Sequence, residues 1–156
     1  MPPEVLDRIS LDVVGTVNSE NGRAKKILTL ANRFTNVAFH GFVPDIIPYY
    51  RNADLQIVAS TDATGLRTRT IESFAYGLPV LSTAVGARGI AGVKPGEHFL
   101  IANDAEEFVK QLSGVLNAPE SLSSVSMRAR DFYREHQSRA VVASTLAGYL
   151  KKYFGM

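Results

Sequence analysis

Short apolar runs alternate with longer amphipathic stretches along most of the chain. The runs have the length and the Val, Ile and Leu content of buried strands, and the stretches show the three-to-four residue spacing of helices. The pattern predicts strands over residues 11–14, 37–39, 55–58, 79–82 and 99–102. It predicts helices over residues 21–34, 46–51, 66–76, 104–116, 121–134 and 138–153, with Asp104 as an N-cap and Gly77 as a C-terminal cap.

This alternation indicates an α/β fold. Short apolar strands separated by helices are typical of a doubly wound, Rossmann-like parallel sheet with helices on both faces. No linker or internal repeat interrupts residues 1–156, so we expect a single domain. Sheets of this kind bind ligands beyond the carboxyl ends of their strands, which are here residues 15–17, 40–42, 60–65, 83–89 and 103–104.

Composition narrows the classes of function. The chain has 156 residues, is 46% hydrophobic and carries a formal net charge of +2, which is too small to indicate nucleic-acid binding. Cysteine is absent, which excludes disulfides, thiolate nucleophiles and cysteine–zinc sites and fits a cytoplasmic location. No apolar run approaches the roughly 20 residues that a transmembrane helix needs.

The most informative segment is the start of the helix predicted at residues 66–76. Helix N-termini favour acidic residues, yet Arg67 and Arg69 stand in its first turns. The two guanidinium groups, the backbone N–H groups near Gly65 and the close approach that glycine permits are suited to a diphosphate. Glu72, one turn after Arg69, is placed to accept hydrogen bonds from ribose hydroxyls. The alternative is that Arg69 and Glu72 form an ordinary surface ion pair and that Arg67 is solvated.

The same segment carries a family resemblance. Glu72 and the following residues Ser-Phe-Ala-Tyr-Gly-Leu-Pro-Val resemble the E-A-x-A-x-G-x-P-V run of the bacterial family-4, or group 1, glycosyltransferases. Gly41-Phe42-Val43 and the segment from Pro48 to Asp54 resemble the family's G-x-V and Y-x-x-A-D motifs. Residues 82–90 and 96–100 resemble its glycine loop and next strand, so the resemblance covers most of residues 11–115.

The resemblance implies a donor-binding role. Family members transfer a sugar from a nucleoside diphosphate sugar with retention, and the C-terminal Rossmann domain of their two-domain GT-B fold holds this donor. Glu72 occupies the position of the second glutamate of the family's E-x7-E motif, which binds ribose. Thr64 stands where the first glutamate contacts the donor sugar in many members. A subset has G-x-[KR]-x-[KR]-x-x-E instead, and Gly65, Arg67, Arg69 and Glu72 fit this form.

The resemblance also implies that part of the enzyme lies outside this chain. The N-terminal acceptor domain and an upstream Arg/Lys pair of the family have no counterpart here. We therefore expect a C-terminal donor domain that is inactive alone and belongs to a glycosyltransferase. The expected location is the cytoplasm, at the inner face of the membrane if the full-length enzyme associates with it.

Charge on the departing nucleoside diphosphate must be stabilised by preorganised groups. We assign this catalytic role to Arg67 and Arg69, assisted by N–H groups around Gly65, Gly86 and Ala87. Gly15, at the end of the first strand, is expected to face the nucleotide or to make a plain turn. The chain has no D-x-D motif, so we expect neither a metal nor another cofactor.

The remaining histidines and Asp62 have simpler interpretations, and two other functions compete with this one. His40 is expected to bind a backbone group, with an approach of its loop to the nucleotide base as the alternative. His98 and His136 are expected to be structural or surface residues, and Asp62 to cap the donor helix. A non-catalytic nucleotide-sugar-binding or interaction module is the main alternative function, favoured by Thr64. A nucleotide-sugar epimerase would need further acidic residues near the sugar.

Overall fold

The fold is known from a computed structural model, which describes residues 3–17, 22–61 and 67–155. The chain divides into two compact units, Met1–Tyr49 and Tyr50–Met156. Each unit has its own parallel sheet, of two strands in the first and three in the second.

The first unit is built around two parallel strands. Strand β1 (Leu11–Val14) pairs with β2 (Val37–Gly41), and the register shifts after Val13. Helix α1 (Pro3–Leu6) precedes the sheet, α2 (Gly22–Ala31) connects its strands, and α3 (Ile47–Asn52) begins in this unit. The Asn36 side chain donates to the carbonyls of Leu6 and Ile9 at 2.8 and 2.7 Å, which fastens the segment after α1 to the start of β2.

Helix α2 leaves much of its apolar face in solvent. Ile27 is 59% exposed and Leu30 55% exposed, and no described side chain of α2 is fully buried. The helix also ends at Ala31, three residues before the predicted end, and the chain continues in turns in which the Arg33 N–H donates to Leu30. The apolar periodicity predicts the position of this helix correctly. The apolar side chains themselves are much more exposed than an amphipathic pattern indicates.

The second unit has a fully buried central strand. Strands β3 (Gln56–Val58), β4 (Val80–Ser82) and β5 (Leu100–Ile101) are parallel and lie in that order, with Leu81 paired to Ile57 on one side and Leu100 on the other. Every residue of β4 is buried. Burial on both faces explains why the adjacent residues Val80 and Leu81 are both apolar rather than alternating with polar ones.

Four helices belong to the second unit: one between β3 and β4, and three after β5. They are α4 (Thr68–Tyr76), α5 (Ala105–Asn117), α6 (Ser121–Phe132) and α7 (Arg139–Phe154). A 3₁₀ turn follows β4 at Val85–Ala87, and a π-helical turn at Tyr133–Gln137 separates α6 from α7. The predicted helix at 121–134 is thus an α-helix that ends at Phe132 and widens into the π turn.

The core of the second unit joins α4, the sheet and α6. Phe74 and Phe132 meet edge to face with ring centres 6.2 Å apart, and both are buried beside Val58 and Val80. Gly77 ends α4 in the left-handed conformation (φ 70°, ψ 22°), and its N–H donates to the carbonyl of Phe74. The predicted C-terminal cap is confirmed, and the Ser126 hydroxyl of α6 donates to the same glycine's carbonyl.

The predicted class is confirmed: the protein is a Rossmann-like α/β fold with parallel strands and helices on both sides. The strand pairing differs from the expectation of one sheet, since the described strands form one sheet in each unit. Apolar alternation predicts where strands lie but carries no information about which strands share hydrogen bonds. The single domain over residues 1–156 stays a prediction.

Candidate functional site

Helix α4 begins at a site suited to an anion. The helix starts at Thr68, two residues later than predicted, and Arg67 is its N-cap residue. The Arg67 side chain makes no capping hydrogen bond, and the first turn contains no acidic residue. Because a helix N-terminus carries about half a positive charge, a cationic first turn favours an external negative group.

The two arginines differ in exposure. Arg67 is half-buried and Arg69 is exposed. The Arg69 carbonyl accepts a hydrogen bond from the Ser73 hydroxyl at 2.9 Å, within the first turns of α4. Both residues therefore stand at the start of α4, as predicted. Their contact with a diphosphate stays a prediction.

Glu72 is held by a tyrosine that the sequence analysis did not single out. The Tyr50 hydroxyl donates to Glu72 Oε2 at 2.8 Å. Glu72 is exposed, and among the ion pairs of the described residues there is none between Glu72 and Arg69. The alternative of an ordinary Arg69–Glu72 surface pair is therefore wrong. The Y-x-x-A-D resemblance contained Tyr50, but sequence spacing alone could not join it to a residue 22 positions later.

The Tyr50 phenol stays protonated, so its hydroxyl acts as a hydrogen-bond donor to Glu72. Burial raises the pKa of Tyr50 well above its ordinary value, and the hydrogen bond to Glu72 and the charge of that carboxylate raise it further. The positive charge of Arg69 acts in the opposite direction on the pKa of Tyr50 and is the smaller effect. The phenol consequently keeps its proton, and the bond to Glu72, throughout the physiological pH range.

Side-chain hydrogen bonds tie together the carboxyl ends of the three strands in the second unit. The Thr83 hydroxyl after β4 donates to the Ser60 carbonyl after β3 at 2.7 Å. The Ala84 N–H donates to Asn103 Oδ1 after β5 at 3.0 Å. The buried Thr70 hydroxyl of α4 donates to the Gly86 carbonyl at 3.1 Å. These bonds join the three strand ends to one another and α4 to the turn after β4, and their short polar side chains were not identified from the sequence.

Gly86 and Ala87 lie inside the protein at this edge. The Gly86 N–H donates to the carbonyl and the hydroxyl of Thr83, both at 3.0 Å, so this amide is already used within the fold. The Ala87 side chain belongs to the core, at 4% exposure. Packing and an internal turn already account for a glycine at this position, and the donor role predicted for Gly86 stays a prediction. A substrate contact at Ala87 stays a prediction.

The three further predicted residues are Thr64, Gly65 and Gly15. Thr64 and Gly65 lie outside the described residues, as does Asp62. Gly15 belongs to the first unit, where it ends β1 with φ 125° and donates to the Gly41 carbonyl at 2.8 Å. This positive φ favours glycine for a turn, and the predicted contact of Gly15 with a nucleotide stays a prediction.

The histidines have structural contacts. His40 Nε2 lies 2.6 Å from Asp12 Oδ1, so the expectation of a backbone partner is wrong: the neighbouring strand presents a carboxylate instead. His98 is buried, and its Nδ1 accepts from the Lys94 N–H at 3.0 Å, whereas His136 is exposed. The structural or surface assignment of His98 and His136 is confirmed. Within residues 3–17, 22–61 and 67–155, no His and carboxylate cluster is suited to a metal ion.

A protein-family model matches most of the chain. The model described as glycosyl transferases group 1 matches residues 1–118. The chain belongs to this family. The predicted resemblance is thereby confirmed, and the match includes Tyr50, α4 and the edge formed by Ser60, Thr83 and Asn103. No curated protein sequence matches the chain.

Solved structures similar to this group 1 chain confirm the fold. Anabaena Alr3699/HepE in complex with UDP has a TM-score of 0.82 at 18% identity, over 97% of this chain and 42% of its own. Sucrose-phosphate synthase from Thermosynechococcus elongatus has a TM-score of 0.77 at 23% identity, and the alignment covers 94% of this chain and 39% of the synthase. A glycosyltransferase from Rickettsia africae has a TM-score of 0.76 at 18% identity, and the alignment covers 92% of this chain and 40% of that protein.

The chain therefore spans about two-fifths of the length of these solved proteins. Family and fold together fit the C-terminal domain of a GT-B glycosyltransferase. In the part of the chain that the structure describes, no helix is long and apolar enough to cross a membrane.

Proposed function

We propose that this chain binds the nucleoside diphosphate sugar donor of a retaining glycosyltransferase. The observation that carries the proposal is the exposed Glu72 carboxylate, held by Tyr50 one turn after the cationic start of α4. In this proposal the diphosphate lies at Arg67 and Arg69, and the Glu72 carboxylate accepts hydrogen bonds from the ribose hydroxyls.

The solved relatives support this class of ligand. Alr3699/HepE was crystallised with UDP, with UDP and glucose, and with UDP-glucose. Uridine is therefore a reasonable base for a first probe, while the donor sugar and the acceptor of this chain are left open by the proposal.

The proposed chemical role is stabilisation of the leaving group. As the bond between the sugar and the diphosphate breaks, negative charge grows on the departing phosphate oxygens. Guanidinium groups held near those oxygens lower the barrier, because they are already oriented when the charge develops. We propose that Arg67 and Arg69 supply this stabilisation without a metal, and that the enzyme needs an acceptor domain to complete the transfer. The chain alone then binds donor and transfers nothing.

Calorimetric titration with UDP tests the diphosphate site. We expect measurable binding to the wild-type chain and at least tenfold weaker binding to R67A/R69A, since a hydrogen bond to a charged group contributes about 1.5–3 kcal/mol. R139A/K151A removes the same number of positive charges from α7 and serves as the control. Equal loss in both double variants would show a general charge effect and count against the site.

A second titration tests the ribose contact. Glu72→Gln keeps the shape of the side chain and removes the charge, so UDP should bind more weakly and its advantage over 2′-deoxy-UDP should shrink. Glu106→Gln, in the first turn of α5, is the matched control. If E72Q binds both nucleotides as tightly as wild type, Glu72 does not hold the ribose.

A further inference from the structure

The tyrosine that donates to the exposed Glu72 carboxylate is itself buried and stacked on a second ring. Tyr50 is 6% exposed, and its ring stacks on Tyr76 with centres 5.1 Å apart and planes 11° from parallel. Tyr76 stands four residues after Glu72 on the same helix. Residues at this spacing lie on one face of a helix, so the stack and the hydrogen bond fix the Tyr50 ring against α4 at two points.

This arrangement restricts an otherwise mobile side chain. A surface glutamate has several rotamers of similar energy, and holding one of them costs conformational entropy. The 2.8 Å bond from a buried phenol selects the rotamers in which Oε2 points to Tyr50. The Glu72 side chain therefore loses conformational entropy when the protein folds rather than when a ligand binds. A site preorganised in this way binds its ligand at a lower entropic cost.

The two oxygens of Glu72 have different surroundings. Oε2 accepts the Tyr50 proton, whereas Oε1 makes no hydrogen bond with any of the described residues. A carboxylate offers about four acceptor positions, and one phenol uses one of them. The remaining capacity lies on the exposed side chain and is available to a ligand.

We propose that Tyr50 is a positioning residue of the donor site: by holding Oε2 it turns Oε1 of Glu72 toward the ribose hydroxyls of the nucleotide. This inference rests on the proposed function, because it needs Glu72 to contact ribose. It assigns a role to the tyrosine of the Y-x-x-A-D segment, and it makes recognition of the ribose depend on a residue from α3 as well as on α4.

Tyr50→Phe isolates the hydroxyl. The phenyl ring retains the stack on Tyr76 and removes only the donor to Glu72. UDP should bind about three- to tenfold more weakly to Y50F, which is the range expected for one modest hydrogen bond. The preference for UDP over 2′-deoxy-UDP should fall in the same variant, because the ribose contact loses its fixed geometry. A residue with a purely structural role would not change this preference.

Tyr76→Phe is the matched control, since it removes a hydroxyl from the other ring of the same stack. We expect Y76F to bind both nucleotides like the wild-type chain. Thermal unfolding of both variants checks that the fold is retained. An unchanged UDP affinity and an unchanged nucleotide preference in Y50F would overturn the proposal.

A double-mutant cycle with E72Q separates this inference from the proposed function. If Tyr50 acts through Glu72, the effect of Y50F should nearly disappear in the E72Q background. Additive effects would show that Tyr50 acts independently of Glu72 and would also overturn the proposal. If the wild-type chain does not bind UDP, or E72Q has no effect, the proposed function fails and the role of Tyr50 fails with it.

Discussion

At the residue scale, Gly86 shows how close packing constrains the edge that supports α4. A Cβ added at Gly86 would collide with Ser82 Oγ and would lie 2.9 Å from the Val58 carbonyl oxygen. Neither contact is possible between real atoms, and the second involves backbone that cannot rotate away. The end of β4 and the 3₁₀ turn would therefore have to separate from β3 to accept any side chain here.

Gly86→Ala should consequently destabilise the protein. Forcing a methyl group into a well-packed site costs roughly 1–3 kcal/mol, which thermal or urea unfolding would measure as a lower free energy of unfolding. Gly114→Ala is the control, because a Cβ there meets no atom within 4 Å and the residue lies inside α5. That variant should gain about 0.5–1 kcal/mol from helix propensity. Equal stability of the two variants would contradict the packing account.

His98 provides a residue-scale prediction about pH. Burial lowers the pKa of His98 below its ordinary value of 6.5, Glu97 raises it by a smaller amount, and Lys94, Arg128 and His136 lower it. The unfolded chain therefore binds a proton near pH 6.5 that the folded protein takes up only at lower pH. Between these two pH values the unfolded state holds more protons, so the free energy of unfolding falls as the pH falls.

His98→Asn should remove this contribution. An asparagine side chain can still accept from the Lys94 N–H but does not titrate. Unfolding curves at several values from pH 7.5 down to 5 should show a smaller acid-side loss of stability for H98N than for wild type. H136N, at an exposed histidine, should keep the wild-type slope. The prediction is wrong if wild type and H98N lose stability in parallel.

At the element scale, helix ends are the features that the sequence predicts best. Asp104 precedes α5 with extended backbone, and its Oδ1 accepts from the Glu107 N–H at 2.9 Å. Glu107 Oε2 in turn accepts from the Asn103 N–H at 2.7 Å. These local contacts follow from residue type and spacing of three or four, which is why the predicted N-cap at Asp104 and the glycine cap at Gly77 are both confirmed.

Removing this cap should have a measurable cost. Asp104→Ala leaves an N–H of the first turn without its side-chain partner, and the free energy of unfolding should fall by about 1 kcal/mol. Asp131→Ala is the control, because Asp131 is exposed and its contact is a surface ion pair with Arg134 that contributes only tenths of a kcal/mol. Chemical denaturation of both variants makes the comparison. A loss in D104A no larger than in D131A would contradict the assignment of the cap.

The contacts around α4 were harder to predict, for a physical reason. Thr70, Thr83 and Asn103 form hydrogen bonds to residues between 16 and 23 positions away, and Tyr50 reaches Glu72 over 22 positions. Such partners depend on strand order and on the placement of loops, which residue spacing does not encode. The cationic start of α4 was identified because it breaks a local rule, namely that the first turn of a helix favours acidic residues.

At the scale of the whole molecule, the arrangement of strands into sheets is what the sequence left undetermined. The strands were located within one or two residues, and parallel pairing followed from the alternation with helices. Their grouping into a two-stranded and a three-stranded sheet, one in each compact unit, depends on contacts between distant segments. The family match covers residues 1–118 and therefore includes all five of these strands.

The central claim concerns α4 as the place where a nucleoside diphosphate binds. A crystal structure of this chain soaked with UDP tests it most directly. The account predicts phosphate oxygens at the guanidinium groups of Arg67 and Arg69, and a ribose hydroxyl about 3 Å from Glu72 Oε1, with the Tyr50 bond to Oε2 retained. UDP bound elsewhere, or a ribose that leaves the Glu72 carboxylate in solvent, would contradict it.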